Sequence, residues 1–287
     1  MKKYKILISI VLIAVAIISA GCKDRQEIIT DMKGRNVTMP QKTDKVVCLS
    51  PGIAELFYKF GIEGKLIGRS YFCHLPEQIQ ILPEVGGLYK LDTNTIIEMK
   101  PDLVLSSDML SWDARNFLYR REIPLVMFKD NKKFEDIYPA IELFGKIFKE
   151  EQKATRLTEE LKKEFSNLNK ANTDNKPTAY FYIQFNGKDE ITVNENNLTG
   201  SLMTVAGFEN IAKNDSDMKF SREELLNKDP EYIFVNTNKY DKLMNSQSYS
   251  SLSAVKNKKV IAINPDYLNH LSVSNLEFIK QIQAVTK

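Results

Sequence analysis

One short unit of this sequence occurs twice, and the repetition limits what the chain can fold into. Asn94-Thr95-Ile96-Ile97-Glu98-Met99-Lys100-Pro101-Asp102-Leu103-Val104-Leu105 has a counterpart in Glu223-Glu224-Leu225-Leu226-Asn227-Lys228-Asp229-Pro230-Glu231-Tyr232-Ile233-Phe234. Each reads as a short helix stopped by proline, then an acidic residue, then an apolar strand, because proline and the residue before it are poorly tolerated in a continuing helix. A second pair keeps the same order: residues 51–61 followed by Ile62-Glu63, and residues 199–207 followed by Phe208-Glu209. The same units in the same order predict two similar lobes.

The first lobe shows the grammar in full. Lys45-Val46-Val47-Cys48-Leu49 reads as a buried strand, and Ser50-Pro51-Gly52 opens a helix that Gly61 closes. Serine at the N-cap, proline at the first helical position and glycine past the end are favourable start and stop signals. Further strands are expected over 66–68, 102–106 and 124–128, with helices over 93–100 and 111–122. Strands alternating with helices imply a parallel sheet, so the fold class is α/β, two similar lobes with central sheets flanked by helices. In the second lobe the first strand is expected over 180–185.

Between the lobes helix formers dominate residues 134–168, with Ile137, Ile141, Phe144 and Phe148, then Leu157, Leu161, Phe165 and Leu168, at three- and four-residue spacing. A break is expected near Lys149-Glu150. The second piece would span roughly 30 Å, enough to run beside both lobes as one long connecting helix. The expected boundaries are 1–21 for a signal, 22–44 for an anchored segment and the start of the first lobe, 45–148 for that lobe, 149–172 for the connector and 173–287 for the second lobe.

The signal reading comes from Lys2, Lys3 and Lys5, an apolar run over 6–18, and Ser19-Ala20-Gly21-Cys22 before Lys23-Asp24-Arg25. This is a basic segment, an apolar segment and small residues at a cut site. The run is shorter than the roughly 20 residues of a spanning helix. Small residues before a lone cysteine resemble a bacterial lipobox, which makes Cys22 the lipidated N-terminus and puts the protein outside the cytoplasm on the cell membrane. Forty basic against 37 acidic residues leave no basic field of the kind nucleic-acid binding needs. Cys48 and Cys73 are too few for a disulfide scaffold and are read as free thiols or one bridge. Trp112 is read as a packing residue on its helix. No Gly-rich phosphate loop, Gly-x-Ser-x-Gly elbow or His-Glu-x-x-His helix is present. The two histidines, His74 and His270, are too few to capture bare zinc or manganese.

An ordered set of short segments then carries a resemblance. Lys45 to Pro51, Cys73-His74-Leu75-Pro76, Val85-Gly86-Gly87 and Lys100 to Leu105, followed by Gly200-Ser201-Leu202, Ala206 to Ile211, Ser221-Arg222-Glu223 and Ala254 to Val260, are similar to the successive landmarks of the periplasmic-binding-protein family that serves importers of iron-siderophores, haem and cobalamin. The resemblance runs from about Lys45 to the C-terminus. It implies the class III arrangement, two lobes on one rigid helix with the ligand in a shallow cleft between them. The implied partners are an ABC permease with its ATPase and a metal-chelate solute carried by a monomer, with no resident cofactor and no enzymatic activity. The alternative is a surface enzyme or chelatase on the same scaffold.

The resemblance also implies site residues. Val260 to His270 aligns with a corrinoid-contacting segment, in which Asp266 keeps a contacting aspartate and His270 stands in place of an arginine. Phe72 stands where those proteins use tyrosine, and their cleft tryptophans are replaced by Leu88, Ser107 and a residue near Met218. Tyr71, Phe72, Tyr89 and Tyr267 are candidates for stacking on a macrocycle or catecholate. His270 is either an axial metal ligand or a hydrogen-bonding rim residue, and His74 is read as a rim residue. For permease docking the family uses one acid on each lobe. Glu223 matches in the second lobe, where its carboxylate can equally stabilise a helix N-terminus. The first-lobe position falls on Asn94, so either Asp92 substitutes or neutral hydrogen bonds serve there. Replacing Cys22 with alanine should release the protein from membranes, as read by cell fractionation together with the N-terminal mass; a lipid-free mature N-terminus in the unaltered protein would end the lipoprotein reading.

Overall fold

The computed structural model describes residues 26–129, 132–170, 174–215, 217–268 and 270–286; the signal segment and Cys22 lie outside the described residues. The described residues begin with a hairpin, β1 (Ile28–Thr30) and β2 (Asn36–Thr38). Four parallel strands follow: β3 (Val46–Cys48), β4 (Leu66–Arg69), β5 (Leu103–Ser107) and β6 (Leu125–Phe128). They interleave with α1 (Pro51–Phe60), α2 (Thr93–Met99) and α3 (Trp112–Arg120). The pair α4 (Ile137–Phe148) and α5 (Glu151–Leu168) leads to the second half.

There β7 (Thr178–Tyr182), β8 (Gln184–Phe185), β9 (Glu190–Ile191), α6 (Leu198–Val205), β10 (Glu209–Asn210), β11 (Lys219–Phe220) and α7 (Arg222–Lys228) come first. Then come β12 (Tyr232–Asn236), α8 (Thr237–Met244), α9 (Ser253–Lys256), β13 (Val260–Ile263) and α10 (Asn275–Ala284). The first sheet has the order β4-β3-β5-β6 and the second β10-β7-β12-β13, all pairs parallel. Counted within each half, both read second, first, third, fourth. The doubled sequence unit is thus a doubled topology, and α2–β5 and α7–β12 occupy equivalent places. Their helices end alike, on Lys100 and Asp229 in the left-handed region at φ 47° and 39°, each directly before a proline.

The expected first strand of the second half is split. Its end, Gln184–Phe185, leaves the parallel sheet for a small antiparallel one ordered β11-β9-β8.

Side chains alternate between two apolar layers on each sheet, as the period of a strand requires. Val46, Cys48, Leu103 and Leu105 face one layer and Val47, Leu49 and Val104 the other. In the second sheet Ala179, Phe181, Tyr232 and Phe234 face inward while Tyr180, Tyr182, Ile233 and Val235 face outward. The two inner layers merge into one core that also takes in α1, α4, α5 and α10. The α4–α5 break falls where expected, at Lys149 with φ 57°. Gly145 and Ala154 make the crossing close: a Cβ on Gly145 would be 2.6 Å from that of Ala154. Of α5, Lys153 donates to the Phe60 carbonyl at the end of α1, while Glu164 pairs with Lys280 of α10 at 2.6 Å. One helix therefore grips both halves.

Trp112 corrects a sequence expectation. The buried stripe of α3 is Ala114 and Leu118, and Trp112 lies about 200° around the helix from Ala114, which leaves it exposed. The hairpin was not foreseen either. It is tied to edge strand β6 through Asp31, whose buried carboxylate accepts from Arg35 Nη2 at 2.6 Å and Met127 N at 3.2 Å.

The halves also meet directly. A Cβ on Gly52 of α1 would collide with the Leu271 carbonyl oxygen. Gly52→Ala should therefore lower stability by about 1–3 kcal/mol as an overpacking change, measured as a lower denaturation midpoint at unchanged slope, whereas an unshifted midpoint would show that the seam yields freely.

Candidate functional site

In a doubly wound parallel sheet, ligands bind beyond the carboxyl ends of the strands, where the strand order reverses. Here the ends of β4 and β5 deliver two knitted connections from the first sheet. After β4, Tyr71 N donates to Gly86 O at 3.0 Å; after β5, Ser111 N donates to Leu88 O at 2.8 Å. The Tyr71 ring lies against Gly87, where a Cβ would come within 2.6 Å of it. Glycine thus lets an aromatic face lie on backbone. Tyr71 and Phe72 rings are 4.3 Å apart, and these two together with Tyr89 and Met109 are exposed large apolar side chains on the same two connections. Such clustering marks a binding surface.

Arg69, the last residue of β4, holds the first loop from beneath. It is buried, and its guanidinium donates to the carbonyls of Ser70, Cys73 and Gln80, each at 3.3 Å, and to Glu84 at 2.9 Å. Cys48 and Cys73 lie under the same loop as buried free thiols. Burial pushes the Cys48 thiol up to about 12 and Cys73 well above its ordinary value.

From the second sheet, the turn after β13 presents Asp266, whose amide is held by Asn264 Oδ1 at 3.0 Å. Its carboxylate meets His74 Nδ1 at 2.9 Å, a bond joining loops 192 residues apart. The side chains are 43% and 20% exposed, so this bridge stands at the rim.

His270 is placed differently from its candidate role as axial ligand. Its side chain is only 12% exposed and its Nε2 is buried, 3.9 Å from Glu55 Oε1 of α1 and beyond hydrogen-bond reach of it. The other oxygen of Glu55 accepts from Ser274 Oγ at 2.6 Å. The imidazole is turned into the seam between the halves and is not presented to a solute in this arrangement. Tyr267 is half-buried against the central core and borders a depression on the α10 side with Thr237 and Lys280, so it does not join the aromatic rim. Phe72 and Tyr89 stand exposed on the loops after β4, and Asp266 is joined to the first of them through His74. Met109, Arg69 and Glu55 are additions. An acid amid Ile53, Ala54, Leu56 and Phe57 was the legible signal for Glu55; Met109 and Arg69 had none.

Asn94 and Glu223 are each the second residue of equivalent helices, α2 and α7, and both are exposed. Asp92 caps α2, accepting from Thr95 N at 3.1 Å and Thr95 Oγ1 at 2.7 Å, bonds that hold its carboxyl below the usual range. Arg222, beside Glu223, is stacked 3.6 Å from the Phe185 ring and bonded to buried Glu190 at 2.7 Å. Among the described residues no three His, Cys, Asp or Glu side chains converge on one point, and no helix is long and apolar enough to cross a membrane.

The model of a family described as periplasmic binding protein matches residues 46–267. The chain belongs to the periplasmic binding protein family. Among relatives of this binding protein, the uncharacterised ABC transporter substrate-binding lipoprotein YvrC of Bacillus subtilis is 24% identical, covering 94% of this chain and 93% of its own. The vitamin B12-binding protein of Vibrio cholerae is 24% identical over 85% of this chain and 89% of its own. The crystal structure of the periplasmic haem-binding protein HutB of Vibrio cholerae superposes with a TM-score of 0.76 at 19% identity, covering 85% of this chain and 99% of that one. That likeness shows the two-lobed fold.

The thiols of this binding protein give a pH test. Their folded values lie above those of the unfolded chain, so they resist ionisation up to about 12 for Cys48 while an unfolded cysteine ionises near 9; any stability they lend is whole below that window and lost across it. Iodoacetamide at about pH 8, near the ordinary thiol range, should leave both unmodified in the native protein and alkylate both in denaturant; rapid native labelling would mean that the rim loop opens.

Proposed function

We propose that this binding protein is the extracytoplasmic, lipid-anchored receptor of an ABC importer, that it works as a monomer with lobes at 45–148 and 173–287 joined through 149–172, and that its cargo is a metal chelate with an open axial position, of the haem or corrinoid class. An iron-siderophore is the remaining cargo of the same reading. Binding and release are its whole task, with no turnover and no resident cofactor. The names of its relatives, B12- and haem-binding proteins and an ABC substrate-binding lipoprotein, favour this class.

The observation that carries the cargo class is the His74–Asp266 bridge beside an aromatic rim. A carboxylate on Nδ1 fixes the tautomer and leaves Nε2 as the acceptor, the arrangement that orients a metal-ligating imidazole. Tyr71, Phe72 and Tyr89 supply flat apolar surface for the ring system. His74 thereby takes the axial role that the sequence offered to His270.

Native mass spectrometry of the soluble form after exposure to haem, cobalamin and a ferric siderophore identifies the cargo. With haem, His74→Ala should lower affinity and shift the visible absorption, because loss of a nitrogen ligand changes the field at the metal. A bound complex unaltered in affinity and spectrum would remove His74 from the site.

Docking is a separate function. Glu223 contacts the permease from the second lobe and Asn94, through neutral hydrogen bonds, from the first. Glu223→Lys should leave solute affinity unchanged while slowing uptake, since reversing a rim charge acts mainly on association. Equal losses in binding and uptake would return Glu223 to the fold.

A further inference from the structure

Trp112 is 67% exposed, and Tyr119, two turns further along α3 and on nearly the same face, is 82% exposed. With Arg115 and Arg120 they wall one side of an open groove of about 880 Å³, whose other wall is β2 with Arg35 and Thr38. Three arginines thus line the groove, against one acid, Glu122. Arg35 is balanced by buried Asp31, but Arg115 Nε is buried with no hydrogen-bond partner. Exposed indole and phenol rings interleaved with arginine suit the polar layer of a membrane, where amphipathic rings settle at headgroup depth and basic side chains attract anionic lipid.

The tether points the same way. Thr38 is the cross-strand partner of Ile28, itself 63% exposed. Ile28 follows Cys22 by six positions, an extended reach of about 20 Å. A lipid on Cys22 would keep this flank within a short distance of the bilayer. The groove also starts at the edge proposed to face the permease, since Ser111, the cap of α3, is bonded to Leu88 on the segment that leads to α2 and Asn94.

We propose that this groove is a docking surface for anionic phospholipid headgroups, which holds the anchored receptor against the membrane by its α3 flank. The proposal rests on the lipid-anchor reading for its geometry. Chemically, phosphate oxygens meet the arginines while Trp112 and Tyr119 enter the interfacial layer.

Trp112 is the one tryptophan of the chain, so its emission reports on the groove directly. The full lipidated protein is reconstituted in vesicles of phosphatidylcholine, and of phosphatidylcholine mixed with phosphatidylglycerol, each with brominated acyl chains. Emission should shift to the blue and be quenched in the mixed vesicles, and inorganic phosphate without vesicles should not reproduce the shift. Arg120→Gln, at an exposed position, should weaken the contact roughly fivefold, and Tyr119→Ser should reduce the quenching. Solvent-like emission in both vesicles, or an equal response in both, would overturn the proposal. So would shielding of Trp112 that appears only when permease is present in neutral vesicles, since that assigns the flank to a protein. A lipid-free N-terminal mass would fail the anchor reading alone; sedimentation of that protein with mixed vesicles then decides, binding supporting the groove and its absence overturning it.

Discussion

The close approach of α1 to the segment before α10 is the contact on which the rest of the molecule depends. Gly52 admits the Leu271 backbone, and Glu55, buried in that seam, is satisfied on one oxygen by Ser274. A buried carboxylate is costly unless hydrogen-bonded, so these partners must stay together. The seam makes the inner layers of both sheets one continuous core, with Phe57 and Phe144 from the first half and Phe181 and Phe278 from the second. It also sets the spacing of the strand ends above it, where the rim residues stand. Helix α5 reinforces the same spacing from the side, holding α1 through Lys153 and α10 through Glu164.

Given that floor, the repeated topology does the rest. Two sheets of the same strand order bring two sets of carboxyl-terminal loops together, and a cleft between them needs no further device. The halves then diverge at the surfaces proposed to meet solute and partners. The first contributes aromatic surface and His74, drawn over its loops by Arg69; the second contributes a turn carrying Asp266. The equivalent helices α2 and α7 differ at their second residue, Asn94 against Glu223, so a permease would meet unlike lobes. The lipid, the permease-facing edge and the α3 groove would then all lie toward one membrane.

Much of this was legible in the chain because parallel sheets write themselves as apolar runs between helices. The strands at Val46, Leu103 and Leu125, the break at Lys149 and the paired prolines were all readable for that reason. The hairpin and the β8-β9-β11 sheet were not, since their short strands mix polar and apolar residues and form no apolar run, and the hairpin is held by a tertiary partner, Asp31. The site was half legible. Phe72 and Tyr89 stand exposed on the loops after β4 and Asp266 on the turn after β13, but sequence position could not tell which of two histidines would meet that turn. That choice depends on packing, which buries His270 in the seam near Glu55, and on Asp266, which meets His74. Trp112 misled because an apolar residue beside a helix start looks like core until the phase of Ala114 and Leu118 is known.

With the lobes pinned at the floor by the Gly52–Leu271 approach, capture should rearrange only the rim. Spin labels on Glu98→Cys in α2 and Asn227→Cys in α7, both exposed, report the lobe separation by pulsed electron resonance, Cys48 and Cys73 being buried. The account predicts a narrow distance distribution whose centre stays within the reach of the label when cobalamin or the identified cargo is added. A broad distribution in the free protein, or a shift of a size that requires the lobes to swing apart at Gly52, would contradict it.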